Sequence, residues 1–113
     1  MERRSILVPH DFTAVGDNAL QYAINLSNII QSNVDILHVV KDEKDRAKAK
    51  TQCDKIIAGL KDKPKDVEVN YHIKSGTIFT DIASKASELK SSLIIMGTHG
   101  AVGMQKLFGS FAI

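Results

Sequence analysis

The composition of this chain limits the kinds of protein it can be. It has 113 residues, of which 43% are hydrophobic and 25% are charged, and its formal net charge is only +2. These values are typical of one globular domain, and its lysine-rich stretches alternate in sign rather than forming a basic stripe for nucleic acid. Cys53 is the single cysteine, which excludes a disulfide within the chain. The first apolar run ends at Pro9, too early for a signal peptide or a membrane span, so we expect a cytoplasmic protein.

Strand and helix patterns alternate along the chain. This alternation predicts an α/β fold with an open, mostly parallel sheet and helices on both faces. Short apolar runs predict four strands, at residues 5–8, 34–40, 67–73 and 92–96. The third run alternates in polarity and suits a sheet edge, whereas the fourth is apolar on both faces and suits a central strand of a complete sheet.

Apolar residues at helical spacing predict three helices between these strands. The first covers residues 14–31, with Thr13 as its N-cap. The second carries Cys53 on its apolar stripe, so we expect a buried thiol rather than a reactive one. The third is predicted to begin at Ser75 and Gly76.

The fourth strand leads into a glycine series, in which Gly97, Gly100 and Gly103 are followed by Gly109 and Ser110. Such a loop lies at the carboxyl edge of a parallel sheet, where open α/β folds bind ligands. Glycine can take positive φ and lets backbone N–H groups approach a ligand oxygen, and a helix beginning after Ser110 would suit phosphate. The spacing matches neither the P-loop nor the dinucleotide fingerprint, and on spacing alone turn glycines without a ligand are an alternative.

Four polar residues near predicted strand ends are candidates for a site. Asp11 follows a central strand, where a carboxylate has little packing role, so we favour ligand binding over capping of the first helix. His99 is expected to brace the glycine loop or contact phosphate rather than act as a general base. His38 is predicted to be a hydrogen-bonded core histidine. His10 stands beside Asp11, but the histidines and the cysteine lack the spacing of a zinc site, so we predict no metal.

Five stretches of this sequence together resemble the universal stress protein family. They are ILVPHDF, ALQYAINLS, ILHVV, SGTIFTDIASKA and LIIMGTHG…GSFA. The resemblance covers nearly all of the chain and implies a five-stranded parallel sheet in the order 3-2-1-4-5. It further implies that residues 1–113 form one domain that is incomplete at its C-terminus. The chain would then contain strands 3-2-1-4, and a helix and fifth strand, or a tandem domain, would follow.

The resemblance also implies an ATP site, with or without magnesium. Gly97, Gly100, Gly109 and Ser110 would hold the triphosphate, Asp11 would reach the ribose, and the backbone near residues 39–40 would meet the adenine. The full set of cofactor-binding residues that we expect is Pro9, His10, Asp11, Val39, Val40, Met96, Gly97, His99, Gly100, Gly103, Gly109, Ser110 and Phe111.

Two functions are open at this point. The first is a nucleotide-binding regulatory stress-response protein, in which ATP changes association with a partner. The second is a nucleotide-free dimerising scaffold, because Gly100 and Gly109 are one residue closer than in the family's ATP motif and Ala101 stands where a cation is common. The loop after the first strand and Lys74 do not fit an enzyme of a related fold, such as an ATP pyrophosphatase or a receiver-type phosphoacceptor. We identify no catalytic residues.

The expected partner is a second copy of the chain or a tandem domain, rather than nucleic acid or a membrane. Without a fifth strand, the predicted fourth strand would present an apolar edge that can pair with another chain. We therefore expect the 113-residue chain to associate or aggregate.

Overall fold

A computed structural model of the chain describes residues 4–60, 63–76 and 78–97. Its elements, in chain order, are β1 (Arg4–Pro9), α1 (Ala14–Ile30), β2 (Ser32–Val40), a 3₁₀ turn (Glu43–Asp45), α2 (Arg46–Ala58), β3 (Val69–Ser75), α3 (Ile78–Leu89) and β4 (Ser91–Ile94). Among the described residues, no helix has both the length and the apolar character needed to cross a membrane.

The four strands form one parallel sheet in the order β3-β2-β1-β4. This confirms the α/β fold and the strand order that the resemblance implies. The strands β1 and β2 lie in the interior of the sheet, and Ile6, Leu7 and Val8 of β1 are fully buried. Apolar runs of this kind are expected where a parallel strand is covered on both faces.

Two layers of helices cover the sheet. The helices α1 and α2 pack on one face, over a core that contains Ile6, Val8, Ala19, Leu20, Ala23, Ile24, Val34, Ile36, Val67 and Ile95. Helix α3 packs on the other face, over a smaller core that contains Leu7, Leu37, Ile82 and Met96. Alternate residues of β1 and β2 therefore serve different cores, as the two-residue period of a strand requires.

The N-cap of α1 is as predicted. The hydroxyl of Thr13 accepts a hydrogen bond from the backbone N–H of Gly16 at 3.4 Å, which satisfies one of the free donors of the first turn. The helix ends at Ile30 and is capped by Gln31, whose backbone is left-handed with φ 58° and whose N–H donates to the carbonyl of Ser27.

The predicted start of the third helix was wrong by a few residues. Ser75 belongs to β3, where it pairs with Val40, and the N–H of Gly76 donates to the carbonyl of Val40 at 3.2 Å. Pairing with the long strand β2 therefore extends β3 as far as Ser75, and the third helix begins at Ile78. Val67, predicted as the start of the strand, is fully buried but precedes β3.

A buried polar cluster lies on the α3 face, around Asp35 of β2. Its carboxylate accepts hydrogen bonds from the hydroxyl of Ser5 at 2.6 Å and from Nε2 of His72 at 2.9 Å. Burial by itself would raise the pKa of Asp35. The hydrogen bonds from His72 and Ser5, and the positive charges of His72 and Lys85, more than offset this and lower the pKa below its ordinary value.

This geometry predicts a pH-dependent contribution of Asp35 to stability. Because its folded-state pKa is lowered, the contribution is present above the ordinary value of 3.8 and is lost as the pH falls further. We expect Asp35→Asn to reduce the free energy of unfolding at pH 7 by about 1–3 kcal/mol, with a smaller difference at pH 3. Urea titrations at both pH values measure this, with the exposed Asp66→Asn as the matched control. Equal effects of the two substitutions at pH 7 would contradict the assignment.

The thiol of Cys53 gives a second prediction. Cys53 is fully buried, as its position on the apolar stripe predicted, and burial, with the neighbouring charge of Asp54, raises its pKa to about 11. We expect a thiol reagent to label the protein in denaturant but not in its native state, because burial removes both access and thiolate. Mass spectrometry over a time course measures the labelling, and rapid stoichiometric modification of the native protein would show that α2 is rotated on the sheet.

Candidate functional site

The candidate site lies at the carboxyl edge of the sheet, where β1, β2 and β4 end together. The chain after β1 stays close to β2, because the N–H of His10 donates to the carbonyl of Leu37 at 2.8 Å. The chain after β4 stays close to β1, because the N–H of Ile95 donates to the carbonyl of Leu7 at 2.9 Å. Helix α1, which follows β1, lies on one face of the sheet, and helix α3, which precedes β4, lies on the other. The strand β1 therefore borders the switch point, where open α/β sheets bind ligands.

A cavity of about 390 Å³ opens at this edge between the end of β2 and helix α2. Its lining consists of Phe12, His38, Val39, Val40, Lys41, Asp45, Lys48, Ala49 and Gln52. The volume lies within the range of small-molecule sites. Val39 and Val40, which the resemblance assigns to adenine, lie in its wall, so the structure brings these two together with Phe12 from the end of β1.

Three residues at the end of β1 and in β2 form a closed set of contacts beside this cavity. Nδ1 of His10 accepts a hydrogen bond from the backbone N–H of Phe12 at 2.9 Å. Nδ1 of His38 donates to the backbone carbonyl of His10 at 2.7 Å. The rings of Phe12 and His38 are stacked, with centroids 3.8 Å apart and planes inclined by 20°.

These contacts determine where the imidazole protons lie. A backbone N–H can only donate, so Nδ1 of His10 carries no proton, and Nε2 must donate to Asp17, 3.0 Å away. A carbonyl oxygen can only accept, so Nδ1 of His38 carries its proton. Each histidine is therefore held in one orientation by its neighbours.

The backbone of Phe12 is left-handed, with φ 65°, which is uncommon for a residue other than glycine. Such a conformation costs about 1–3 kcal/mol. The hydrogen bond to His10 contributes about 0.5–1.5 kcal/mol and the aromatic stacking on His38 a similar amount. Because these contributions together are close to the cost, the conformation of Phe12 depends on both contacts.

Asp11 is exposed, and its carboxylate contacts the residue that caps α1. Its Oδ1 accepts hydrogen bonds from the backbone N–H of Thr13, at 3.2 Å, and from the hydroxyl of Thr13. The helix-capping alternative is thus supported by contacts, with Asp11 orienting the cap rather than being the cap. Its assignment to a ribose stays a prediction.

Met96 and Gly97 line a second hollow, of about 240 Å³, on the α1 side of β4. Its lining consists of Val15, Asn18, Ala19, Tyr22, Ile95, Met96 and Gly97. A Cβ on Gly97 would lie 2.6 Å from the carbonyl oxygen of Val15, so glycine is required there by the close approach of α1. Gly97 is not among the described residues with a positive φ.

Six of the predicted site residues cannot be placed. His99, Gly100, Gly103, Gly109, Ser110 and Phe111 lie outside the described residues. Pro9 is the last residue of β1, and His10 follows it in a buried position. Within the described ranges, no group of three or more His, Cys, Asp or Glu side chains is arranged to hold a metal ion.

Several residues of the cavity were missed by sequence reasoning. His38 was interpreted as a hydrogen-bonded core histidine. It is hydrogen-bonded as expected, but it is only half-buried and lines the cavity. Phe12 gave no sequence signal for its left-handed backbone. Asp45 lies in the 3₁₀ turn, and Lys48 and Gln52 lie on the exposed side of α2, where charged and amide side chains are usual and give no signal of a site.

A polar latch fixes the start of α2, and with it one wall of the cavity. The guanidinium of Arg46 donates to the carboxylate of Glu43 at 2.9 and 3.0 Å, and its Nη1 donates to the carbonyl of Ile73 at 2.6 Å. The hydroxyl of Ser75 donates to the same carboxylate at 2.6 Å. These hydrogen bonds, from Arg46 first and then Ser75, lower the pKa of Glu43 to about 2.

Comparison with known proteins identifies the family. The model of the universal stress protein family matches residues 2–113. This chain belongs to the universal stress protein family. The resemblance seen in the sequence is therefore confirmed. A search of the curated proteins finds no match.

Solved universal stress proteins are similar to this chain. A universal stress protein from Archaeoglobus fulgidus DSM 4304 is 30% identical, with 95% of this chain and 37% of that chain covered and a TM-score of 0.67. A family member from Burkholderia pseudomallei is 21% identical, with 96% and 94% covered and a TM-score of 0.72. A universal stress protein in complex with cAMP is 18% identical, with 97% and 82% covered and a TM-score of 0.61. The last two show the shared fold, and the chain spans little more than a third of the Archaeoglobus protein.

The latch gives a prediction about local stability. We expect Arg46→Ala to increase amide hydrogen exchange in the first turn of α2 and at the end of β3, because both are held by the guanidinium. Exchange in β1 should not change. Lys44→Ala is the matched control, because it removes an exposed cation from the 3₁₀ turn next to Arg46. The same exchange pattern in both variants would show that the latch does not hold α2.

Proposed function

We propose that this universal stress protein is a nucleotide-binding regulatory protein, with ATP as its ligand. In this proposal ATP changes the association of the protein with a partner, such as a second copy of the chain. The observation that carries the proposal is the cavity beside the switch point of the sheet, in whose wall Val39 and Val40 lie. The resemblance assigns these two positions to the adenine.

The chemistry of the cavity suits a nucleotide. Val39 and Val40 offer apolar side chains, and the stacked rings of Phe12 and His38 offer an aromatic wall, against which a planar base can pack. The ammonium groups of Lys41 and Lys48 lie in the same lining, beside the single carboxylate of Asp45, and can attract an anionic phosphate. A universal stress protein of the same fold has been solved in complex with cAMP, which gives further support for a nucleotide ligand.

A switch is preferred to an enzyme on chemical grounds. Phosphoryl transfer needs a metal-holding acid, a positioned nucleophile and a strong cation on the transferred group. Beyond Asp11 and Lys106, the sequence supplies no recognisable set of this kind. The spacing of Gly100 and Gly109 favours the second candidate, a dimerising scaffold that binds no nucleotide.

ATP binding to the native chain should be visible as a shift in melting temperature. A ligand that binds only the native state stabilises it by about 2.7 kcal/mol at a hundredfold excess over its dissociation constant, which corresponds to several degrees here. Adenosine should give a smaller shift, because it lacks phosphate. Gln52→Trp should reduce the ATP shift by filling the cavity, whereas Thr51→Trp adds the same side chain at an exposed position outside the lining.

The outcomes separate the candidates. No shift of the wild type with millimolar ATP, with or without magnesium, would favour the nucleotide-free scaffold. An ATP shift that Gln52→Trp and Thr51→Trp reduce equally would place the ligand outside this cavity. Gly100→Val tests the predicted phosphate loop, and a variant that binds ATP as well as wild type would exclude that loop as the phosphate site.

A further inference from the structure

We infer that His10 is a positioning residue of the proposed nucleotide site, and that it holds Phe12 and His38 together as the aromatic wall of the cavity. The inference takes its ligand from the proposed function. The arrangement in which His10 holds Phe12 and His38, which we call the clamp, depends only on contacts between residues that the structure describes. His10 is buried, and the described lining of the cavity does not include it, so its effect on a ligand must pass through its neighbours.

The first step is the orientation of the imidazole. Its Nε2 is held by Asp17, which lies in the first turn of α1. A Cβ on Gly16 would lie only 2.8 Å from Cε1 and Nδ1 of His10, so a glycine at this helical position gives the ring its space. The start of α1 therefore fixes the direction in which Nδ1 points.

The second step is the backbone of Phe12. Its N–H donates to Nδ1 of His10, and its φ of 65° places the ring on His38. Without an acceptor at the Nδ1 position, this part-buried N–H loses its partner and the left-handed backbone loses a contact that offsets its cost. Phe12 would then return to the common negative φ and its ring would leave His38.

The third step is the orientation of His38. Its Nδ1 donates to the backbone carbonyl of His10, so both rings of the wall are positioned by the same residue. One contact uses the side chain of His10 and the other uses its backbone. A substitution of the side chain therefore releases Phe12 directly and leaves the hydrogen bond of His38 in place.

Two amide substitutions of His10 distinguish a positioning role from simple packing. The amide of His10→Asn can offer an acceptor near the position of Nδ1, whereas that of His10→Gln reaches the position of Nε2 and Asp17. The readout is the Cε1–H signal of His38 in nuclear magnetic resonance, which the stacked ring of Phe12 displaces upfield. We expect His10→Asn to keep this displacement and His10→Gln to lose it.

Affinity for ATP, measured by calorimetry on the same full-chain variants, gives the functional readout. We expect His10→Gln to bind ATP roughly two- to tenfold more weakly than His10→Asn, which is the range of one lost aromatic contact. Retention of the upfield displacement in both variants, or its loss in both, would overturn the clamp. If wild type binds no ATP, the proposed function fails while the His38 signal still decides the clamp.

A second variant covers the case in which a substitution of His10 does not fold. Phe12→Gly removes the ring and accepts a positive φ without cost, so it should fold and lose the upfield displacement of His38. Its affinity for ATP should fall by the same roughly two- to tenfold. Binding of ATP by Phe12→Gly as tight as by wild type would contradict a role of the aromatic wall.

Discussion

The hydrogen bonds of one buried imidazole connect the parts of this site. His10 follows the central strand β1, and its side chain contacts α1 through Asp17 and the next loop through Phe12. Its backbone contacts β2 through Leu37 and His38. The residue thus joins three segments that meet at the carboxyl edge of the sheet, and the shape of the cavity follows from these contacts.

The sheet explains why this junction can be built at one residue. Because all four strands are parallel in the order β3-β2-β1-β4, the ends of β1 and β2 lie side by side at the same edge. On the outer side of β2, the edge strand β3 is tied to the start of α2 by Arg46 and Glu43. The contacts of His10 therefore position one wall of the cavity, and the hydrogen bonds of Arg46 with Glu43 and Ile73 position another. Neither wall is held by surface ion pairs alone.

Local patterns in the sequence predicted much of this fold, and contacts between distant residues account for what they missed. The β1–α1–β2 unit was predicted because its apolar periods are regular and Thr13 marks the helix start. The end of β3 was misplaced because it is determined by pairing with β2, some 35 residues earlier. The close approach of Val15 to Gly97 joins positions 82 residues apart, so the sequence did not indicate it, and the ligand role of Gly97 stays a prediction. No local pattern indicates the left-handed backbone of Phe12, because its acceptor is a side chain whose orientation depends on Gly16 and Asp17.

The proposed function requires a nucleotide base to bind in the cavity beside β2. Methyl nuclear magnetic resonance of the full chain during titration with ATP measures this, because Val39 and Val40 report from the wall of the cavity, whereas Val67 is buried before β3, away from the carboxyl edge of the sheet. We expect saturable shifts of the Val39 and Val40 methyl signals, with the Val67 signals changing little. No shift of Val39 and Val40 at millimolar ATP, or shifts of Val67 as large as theirs, would contradict binding in this cavity.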